Sequence, residues 1–421
     1  MDSSESCADI TSLEDMLAKS LSLEDNPNPT TAEDILNTIT NYFRELRAVC
    51  AKGKMFQDAV AESNIIKHST EIVQKLLNDP RSLQYERVLV CVRVGVQFFG
   101  NFVVDNDRTR SLMWQEYKNL LRELLNLSDV RASNYTAMVV FNIFKGNPNI
   151  PYTDITNVFP SILSLAAKES EFALYCVEHL ISWPGFIAQV YPVLGVGERL
   201  FLLEVCREMT GKGAHLPPDT VMLISTEFKK KADIIFVAHN GLPTPDPSES
   251  AALLEAVATA SGIVDSEGAA KLQQDGALLT SAVFLLRGIH ACMSVEDKLS
   301  AFDARGDKMQ EIKQSPMYGF KAQLVRLIGN LCFRNKINQD KLRDMEGVPL
   351  LLNCSRLDAC NPFITQWVIL AIRNICEGNP ENQALISSLS KEGDQILQNG
   401  TFRLNPDANG AMRVSFVESS D

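Results

Sequence analysis

Two segments near the C-terminus decide the fold: Ile328-Gly329-Asn330-Leu331-Cys332 returns 44 residues later as Ile372-Arg373-Asn374-Ile375-Cys376. A second pair, Asn338-Gln339 and Asn382-Gln383, repeats at the same spacing. Two separate matches in one register indicate an internal repeat. Periods of about 40–47 residues are typical of armadillo and HEAT repeats.

The same spacing appears more weakly upstream. Phe99-Gly100-Asn101-Phe102-Val103 is echoed 41 residues later by Phe141-Asn142-Ile143-Phe144. In Leu286–Cys292, His290 takes the Asn position 40 residues before Asn330. Apolar residues between these segments recur at helical spacing. The sequence therefore predicts an all-α, armadillo/HEAT-like α-solenoid superhelix in which each repeat completes the core of its neighbour. The only strand candidate is Met412–Phe416.

Length and charge narrow the function. The chain has 421 residues, more than the roughly 250–300 that one hydrophobic core serves. Its net charge of −12 disfavours nucleic acid and membrane surfaces, and the basic run 229–231 is read as a solvated helix face. Neither a signal peptide nor an apolar stretch of about 18 residues is visible, so we expect no membrane insertion. Ten scattered cysteines indicate reduced thiols in a cytoplasmic protein.

Residues 319–386 resemble the C-terminal domain of the ataxin-10 family. The motifs that carry the resemblance are Leu327–Cys332, Asn338–Lys341, Gly347–Leu350, Asn361–Phe363 with Gln366–Ile369, Ala371–Asn374 and Glu381–Gln383. A second block, Val96–Asn101 followed by Trp114, is also similar to the family. Residues 150–317 match weakly.

The resemblance implies an armadillo-like solenoid with roles in neuronal survival, neurite outgrowth, signalling and the regulation of cytokinesis. It also implies a cytoplasmic, perinuclear location, with the midbody and the centrosome or basal body as further sites. An O-GlcNAc transferase and a G-protein β subunit are its implied partners, together with self-association into a homo-oligomer. A fungal branch of the family carries a copper-transport name.

Breaks in the helical pattern predict the organisation of the chain. The predicted parts are a mobile arm (1–30), N-terminal armadillo-like repeats (31–240), a Pro-rich break (241–248), solenoid helices (249–293), a loop (294–317), the C-terminal ataxin-10 domain (318–392) and a tail (393–421).

The candidate site residues are Asn101, Asn142, Asn330, Asn374 and Trp367. A carboxamide offers both a donor and an acceptor, so a row of Asn could bind the backbone of an extended partner peptide. The same Asn could instead tie adjacent repeats together through buried hydrogen bonds. Trp367 and Phe363 lie four residues apart and are read as core, and Asn338-Gln339 and Asn382-Gln383 are read as helix caps.

Motifs for catalysis, metals and nucleotides are missing from the sequence. It has no CxxC, HxxxH or HExxH pattern, and Cys354 and Cys360 have no His nearby in sequence. Gly195–Gly197 and Gly211–Gly213 lack the remainder of a phosphate-binding motif. We therefore expect a non-enzymatic protein-interaction scaffold without cofactors, whose acidic surface attracts basic partner segments. The alternatives are a peptide-groove adaptor of the nuclear-transport type and, more remotely, a metal-handling protein.

Overall fold

Helices form nearly all of the described chain. The computed structural model describes residues 29–78, 82–146, 150–237, 246–292, 318–355, 360–393, 401–406 and 412–417. The chain divides into two units, residues 1–194 and 195–421. Among the described helices, none is long and apolar enough to cross a membrane.

The N-terminal unit contains ten α-helices and two short 3₁₀ turns among its described residues. The helices are α1 (Pro29–Cys50), α2 (Lys54–Glu62), α3 (Ile65–Asn78), α4 (Glu86–Val103), α5 (Asp107–Leu125), α6 (Val130–Gly146), α7 (Tyr152–Thr156), α8 (Phe159–Ala166), α9 (Glu171–Ile181) and α10 (Phe186–Val190). The 3₁₀ turns are Ser82–Gln84 and Tyr191–Val193.

The C-terminal unit contains eleven described helices and a hairpin. The helices are α11 (Val196–Gly211), α12 (Pro218–Lys231), α13 (Ile234–Val237), α14 (Ser248–Ala260), α15 (Glu267–Gln274), α16 (Gly276–Cys292), α17 (Phe320–Cys332), α18 (Lys336–Asp344), α19 (Gly347–Asn353), α20 (Ile364–Cys376) and α21 (Pro380–Gly393). The strands are β1 (Thr401–Pro406) and β2 (Met412–Val417).

In each unit one layer of helices stacks in succession. The N-terminal stack runs α1–α4–α6–α9, and the C-terminal stack runs α11–α14–α17–α20. A second layer covers the stack; in the C-terminal unit it includes α12, α15, α16, α18 and α21. Because no helix buries its apolar side alone, every repeat depends on the next. The predicted all-α solenoid of armadillo-like repeats is confirmed.

Aromatic side chains fill the core of the N-terminal stack. Phe98, Phe99 and Phe102 on α4 are completely buried, as is Phe43 on α1. The Phe43 and Phe98 rings stack with centroids 6.3 Å apart. Fully burying each ring stabilises the fold by roughly 1.5–3 kcal/mol, so α4 is the central helix of this unit.

A glycine sets the distance between the last two helices of the C-terminal stack. A Cβ added at Gly329 on α17 would lie 2.9 Å from the Cα of Ala371 on α20. The backbones approach so closely that only hydrogen fits at this position. The Gly329–Arg373 difference between the two repeated segments is therefore explained, since Arg373 is exposed.

Two carboxylates form ion pairs between neighbouring helices where charge is shielded from water. Arg93 on α4 binds both carboxylate oxygens of Asp129, which also accepts a hydrogen bond from the Ala132 amide at the start of α6. In the C-terminal unit the buried Glu249 begins α14 and pairs with Arg199 on α11 at 2.8 Å and with Lys231 on α12. Each carboxylate fixes the start of a stack helix against its neighbours.

The C-terminal hairpin was only half predicted. Met412–Phe416 does form a strand, and it pairs antiparallel with β1, in the register Phe402↔Phe416. The strand β2 lies against α20. The sequence signal for β1 was missed because Thr401–Pro406 contains Asn and Pro, both of which are depleted in strands.

Several predicted boundaries lie outside the described residues. These are most of the arm (1–30), most of the Pro-rich break (241–248), the whole loop (294–317) and parts of the tail (393–421). Helices α1 and α14 begin at Pro29 and Ser248, inside the predicted arm and break. The predicted division of the chain stays a prediction.

We expect Gly329→Ala to lower the free energy of unfolding by about 1–3 kcal/mol, because the added methyl group forces α17 and α20 apart. Gly197→Ala is the matched control, since a Cβ there meets nothing within 4 Å. That change should be neutral or stabilising by up to about 1 kcal/mol. Urea denaturation followed by circular dichroism measures both, and equal effects of the two substitutions would contradict the close approach.

The Arg93–Asp129 pair predicts an acid-sensitive contribution to stability. The hydrogen bond from Arg93 holds the pKa of Asp129 below its ordinary value. The stabilisation is therefore complete above the unfolded pKa of about 3.9 and is lost as pH falls through the lower folded pKa. Asp129→Asn should cost about 1–3 kcal/mol near neutral pH and progressively less below about pH 4.

Asparagine still caps α6, so this variant isolates the ion pair. Asp154→Asn is the control, because Lys118 and Asp154 pair at 2.7 Å on a more exposed surface and should contribute under about 1 kcal/mol. Urea titrations from about pH 7 to about pH 3 make the comparison. A loss of stability in Asp129→Asn that does not shrink in acid would refute the mechanism.

Candidate functional site

Three of the predicted asparagines connect consecutive helices of the stacks. The Asn101 Nδ2 on α4 donates to the carbonyl of Arg47 on α1 at 2.9 Å. The Asn330 Nδ2 on α17 donates to Ala258 on α14 at 3.1 Å, and the Asn374 Nδ2 on α20 donates to Gly329 at 3.0 Å. Each side chain crosses from its own helix to the preceding one.

In these bonds the Asn Nδ2 atom already donates within the fold, and it is the atom that would have to donate to the backbone of a bound peptide. Asn374 is also buried, and Asn101 and Asn330 are half-buried. The geometry favours a tie between repeats, and the role of these residues in partner binding stays a prediction. Asn142 lies half-buried on α6, and its side chain makes no hydrogen bond to another described residue.

The position equivalent to Asn330 in the preceding stack helix is Thr259, not His290. Asn374 reaches Gly329, the residue before Asn330, and Asn330 reaches Ala258, the residue before Thr259. His290 lies on α16, in the second layer, so its assignment from a 40-residue spacing is wrong. The spacing misled because residues 293–317 separate α16 from α17, which puts Thr259 71 residues before Asn330.

Glutamines of the second layer form a further set of ties. Gln57 donates to the carbonyls of Asn101 and Val104, Gln273 to those of Asn330 and Phe333, and Gln339 to those of Asn374 and Glu377. These distances lie between 2.8 and 3.2 Å. One carboxamide thus serves two carbonyls three residues apart at the end of the next stack helix.

The physical reason is that the last four carbonyls of a helix have no donor within that helix. A glutamine amide supplies two N–H groups and reaches further than asparagine. Gln339 also donates to its own repeat, at the carbonyl of Cys332. The sequence analysis missed Gln57 and Gln273 because neither follows an Asn, and the only signal was Gln339 inside the repeated Asn-Gln pair.

The prediction that the Asn-Gln pairs cap the N-termini of the following helices is wrong. Asn335 caps α18 by accepting from the Asn338 amide, and Asn379 accepts from the Asn382 amide at the start of α21. Asn338 and Asn382 instead donate to the carbonyls seven residues earlier, at Leu331 and Ile375. Both also donate to the preceding repeat, Asn338 to the carbonyl of Gln273 and Asn382 to that of Gln339.

Phe363 and Trp367 are not core residues, contrary to the sequence prediction. Phe363 precedes α20 in the left-handed region with φ of 63° and is 70% exposed. Trp367 is half-buried, and the Arg326 guanidinium of α17 lies over its ring at 4.9 Å. The αL backbone at Phe363 turns its side chain away from the core. Both aromatics therefore belong to the accessible surface of the C-terminal stack.

A groove of about 750 Å³ adjoins this surface at the carboxyl ends of α14, α17 and α20. Its walls include Asn330, Leu370 and Asn374 on the stack, together with residues 261–267, 269 and 270. Arg334 and Arg373 line it as well, together with Asp265 and Glu267. We call the groove together with Arg326, Trp367 and Phe363 the Arg326 surface.

Four of the buried cysteines offer little nucleophilic reactivity. Burial raises the pKa of Cys50 and Cys206 to about 12 and that of Cys91 and Cys376 to about 11. These thiols remain protonated at neutral pH, where only a thiolate attacks or binds a metal. His290 Nδ1 lies 4.0 Å from Cys354 Sγ, but no described group of three His, Cys, Asp or Glu could hold a metal ion.

Comparisons with known proteins agree on one family. A family profile described as the spinocerebellar ataxia type 10 protein domain matches residues 320–415. Ataxin-10 of Bos taurus is 30% identical over 372 residues, covering 85% of this chain and 77% of that protein. Human Ataxin-10 is 28% identical over 385 residues, covering 87% and 79%.

Two further comparisons are a match over a short part of the chain and a structural alignment with a low score. An Ataxin-10 homolog of Dictyostelium discoideum is 49% identical over 75 residues, or 18% of this chain and 12% of that protein. A solved designed armadillo repeat protein aligns with 86% of this chain and 99% of its own, at 12% identity and a TM-score of 0.25. At that TM-score the alignment adds nothing to the fold, which the stacking of the helices defines.

We expect Gln339→Leu to lower the free energy of unfolding by about 2–4 kcal/mol, because it leaves buried carbonyls of α17 and α20 without donors. Gln383→Leu is the matched control, since Gln383 donates to the Cys376 carbonyl of its own repeat and should cost only about 1 kcal/mol. Urea denaturation compares the two variants. A larger loss at Gln383 would contradict the importance of the tie between repeats.

Proposed function

The chain belongs to the ataxin-10 family, and on that premise we propose that it is a non-catalytic scaffold that binds other proteins. The observation that carries the proposal is the exposure of Phe363 beside the half-buried Trp367 on a rigid helical stack. Large aromatic side chains next to a groove are favourable anchors in protein interfaces. A stack of repeats holds such a surface in place without a compact active-site cavity.

The absence of catalysis belongs to the proposal. It is supported by the protonated state of the buried thiols of Cys50, Cys206 and Cys376, since a protonated thiol is a poor nucleophile. It is supported as well by the engagement of the Asn and Gln carboxamides within the fold. Those carboxamides hold the helices together, and an amide side chain is neither a general acid nor a general base.

A scaffold is favoured over a peptide-groove adaptor of the nuclear-transport type. Such an adaptor needs a row of free Asn carboxamides to bind the backbone of its ligand. In Asn101, Asn330 and Asn374 the donor atom already binds the preceding helix. A partner would therefore be recognised through side chains of the stack rather than through its backbone.

From the family we also propose the cellular setting. The protein acts in neuronal survival, neurite outgrowth, signalling and cytokinesis, in the cytoplasm and perinuclear region, and at the midbody and the centrosome or basal body. Its partners include an O-GlcNAc transferase and a G-protein β subunit, and the chain associates with itself. The family relationship supports each of these proposals.

Site-specific photo-cross-linking in cells tests the scaffold. Benzoylphenylalanine replaces Phe363 in one variant and Tyr85 in the control, two aromatic positions that are 70% and 68% exposed. We expect light-dependent cross-links from position 363 to a small set of proteins, identified by mass spectrometry, because a docked partner stays within reach of the probe. Position 85 lies off the Arg326 surface and should not give the same set.

Identical products from both positions, or none from position 363, would refute the proposed binding surface. Reciprocal cross-linking from a captured partner confirms direct contact. Localisation of the tagged chain during cell division tests the cytokinetic setting independently of the binding surface, through its presence or absence at the midbody.

A further inference from the structure

Arg326 lies at the centre of the Arg326 surface with its charge only partly compensated. Its Nη1 lies 3.2 Å from the Thr259 hydroxyl and 3.4 Å from the Gln323 side-chain oxygen, both of which are neutral groups. Its guanidinium also covers the Trp367 ring. Within the described part of the chain, no carboxylate lies within ion-pair distance of it.

The electrostatic surroundings make this charge costly. Burial lowers the pKa of Arg326, Glu255 opposes that effect, and the neighbouring Arg207 lowers the pKa further. Glu255 cannot compensate fully, because its carboxylate already lies 3.6 Å from Arg207. A half-buried guanidinium with neutral partners gains most from an incoming carboxylate, which can accept two parallel hydrogen bonds.

The rest of the Arg326 surface also has an excess of positive charge. Arg334 and Arg373 line the groove, and neither has an ion pair with a described carboxylate. Of the two acids that line the groove, Glu267 forms an ion pair with Lys271 at 3.0 Å, which leaves Asp265. In a chain of net charge −12, three arginines against one unneutralised acid form a local positive field.

Apolar side chains border this field. Trp367 and Leu370 lie three residues apart on one face of α20, and the exposed Phe363 immediately precedes the helix. A segment that places a carboxylate over Arg326 would bring its neighbouring side chains against these residues. Charge and apolar contact together define one kind of ligand.

We propose that the Arg326 surface binds an acidic segment of a partner protein, with an Asp or Glu on Arg326 and an adjacent apolar side chain against Trp367 and Phe363. The proposal rests on the scaffold function and names the partner chemistry at that site. It reverses, for this surface, the preference for basic segments that the overall charge predicts.

Nucleic acid is the other polyanion that arginines and an aromatic ring could bind. Asp265 in the groove and Glu255 near Arg326 repel a continuous phosphate backbone, whereas a short peptide can place single carboxylates between them. A peptide is therefore the favoured ligand. Single-stranded oligouridylate serves as the competing probe in the test.

The experiment selects a random-peptide phage library on the full chain. The most enriched peptide is then synthesised and titrated by fluorescence anisotropy. We expect enriched sequences to carry Asp or Glu beside Leu, Phe or Trp. Arg326→Gln should weaken binding by roughly tenfold to a hundredfold, the range for losing one charge-assisted contact.

Arg373→Glu should also weaken binding, and as an exposed position it stays informative if Arg326→Gln unfolds the chain. Arg87→Gln, an exposed arginine of the N-terminal unit, is the matched control and should leave the affinity unchanged. Oligouridylate should not compete with the peptide.

Enrichment of basic peptides, failure to enrich any peptide, or unchanged affinity in Arg326→Gln and Arg373→Glu would overturn the inference. Competition by oligouridylate would overturn it in favour of nucleic acid. The scaffold function and the acidic ligand can fail separately. Cross-links from position 363 to a partner segment without acidic residues would overturn the acidic ligand and leave the scaffold function standing.

Discussion

The structure depends on side-chain carboxamides that satisfy backbone carbonyls across the boundary between repeats. Asn on a stack helix reaches back to the preceding helix, and Gln from the second layer reaches forward to the end of the next one. Apolar stacking alone would let two helices slide or rotate against each other, because hydrophobic contact is non-directional. Hydrogen bonds to buried carbonyls fix one register, since every other register leaves those groups unsatisfied.

This constraint explains why the repeats can vary so widely in sequence. Where Thr259 replaces Asn, its hydroxyl accepts a bond from Arg326 instead of reaching back to α11. Where residues 293–317 lengthen one repeat, Gln273 still reaches the end of α17. The feature that recurs along this chain is therefore a side-chain hydrogen-bond donor directed at the carbonyls of a neighbouring stack helix. Residue type and loop length are free to change around it, which is why only the last two repeats resemble each other visibly.

The sequence predicted what periodicity controls and missed what tertiary contact controls. The helical class and the equivalence of Asn330 with Asn374 followed from spacing, because both segments recur with their flanking apolar residues. The family followed from the resemblance of the C-terminal motifs. His290 was misplaced, since a spacing near 40 residues cannot distinguish a stack helix from a second-layer helix. Phe363 was read as core because an i,i+4 pair with Trp367 assumes a continuous helix, and the αL backbone at Phe363 breaks that assumption.

The two roles of the stack explain each other. Because the Asn and Gln carboxamides hold the helices in register, a partner must be recognised by the other side chains of the stack. On the C-terminal stack these are an arginine, a tryptophan and an exposed phenylalanine, held on backbones that Gly329 brings into direct contact. A rigid support lowers the entropic cost of binding, since the surface need not be ordered when a partner arrives. The net negative charge of the chain describes its average surface and gives no guide to this one, where the arginines of α17 and α20 dominate.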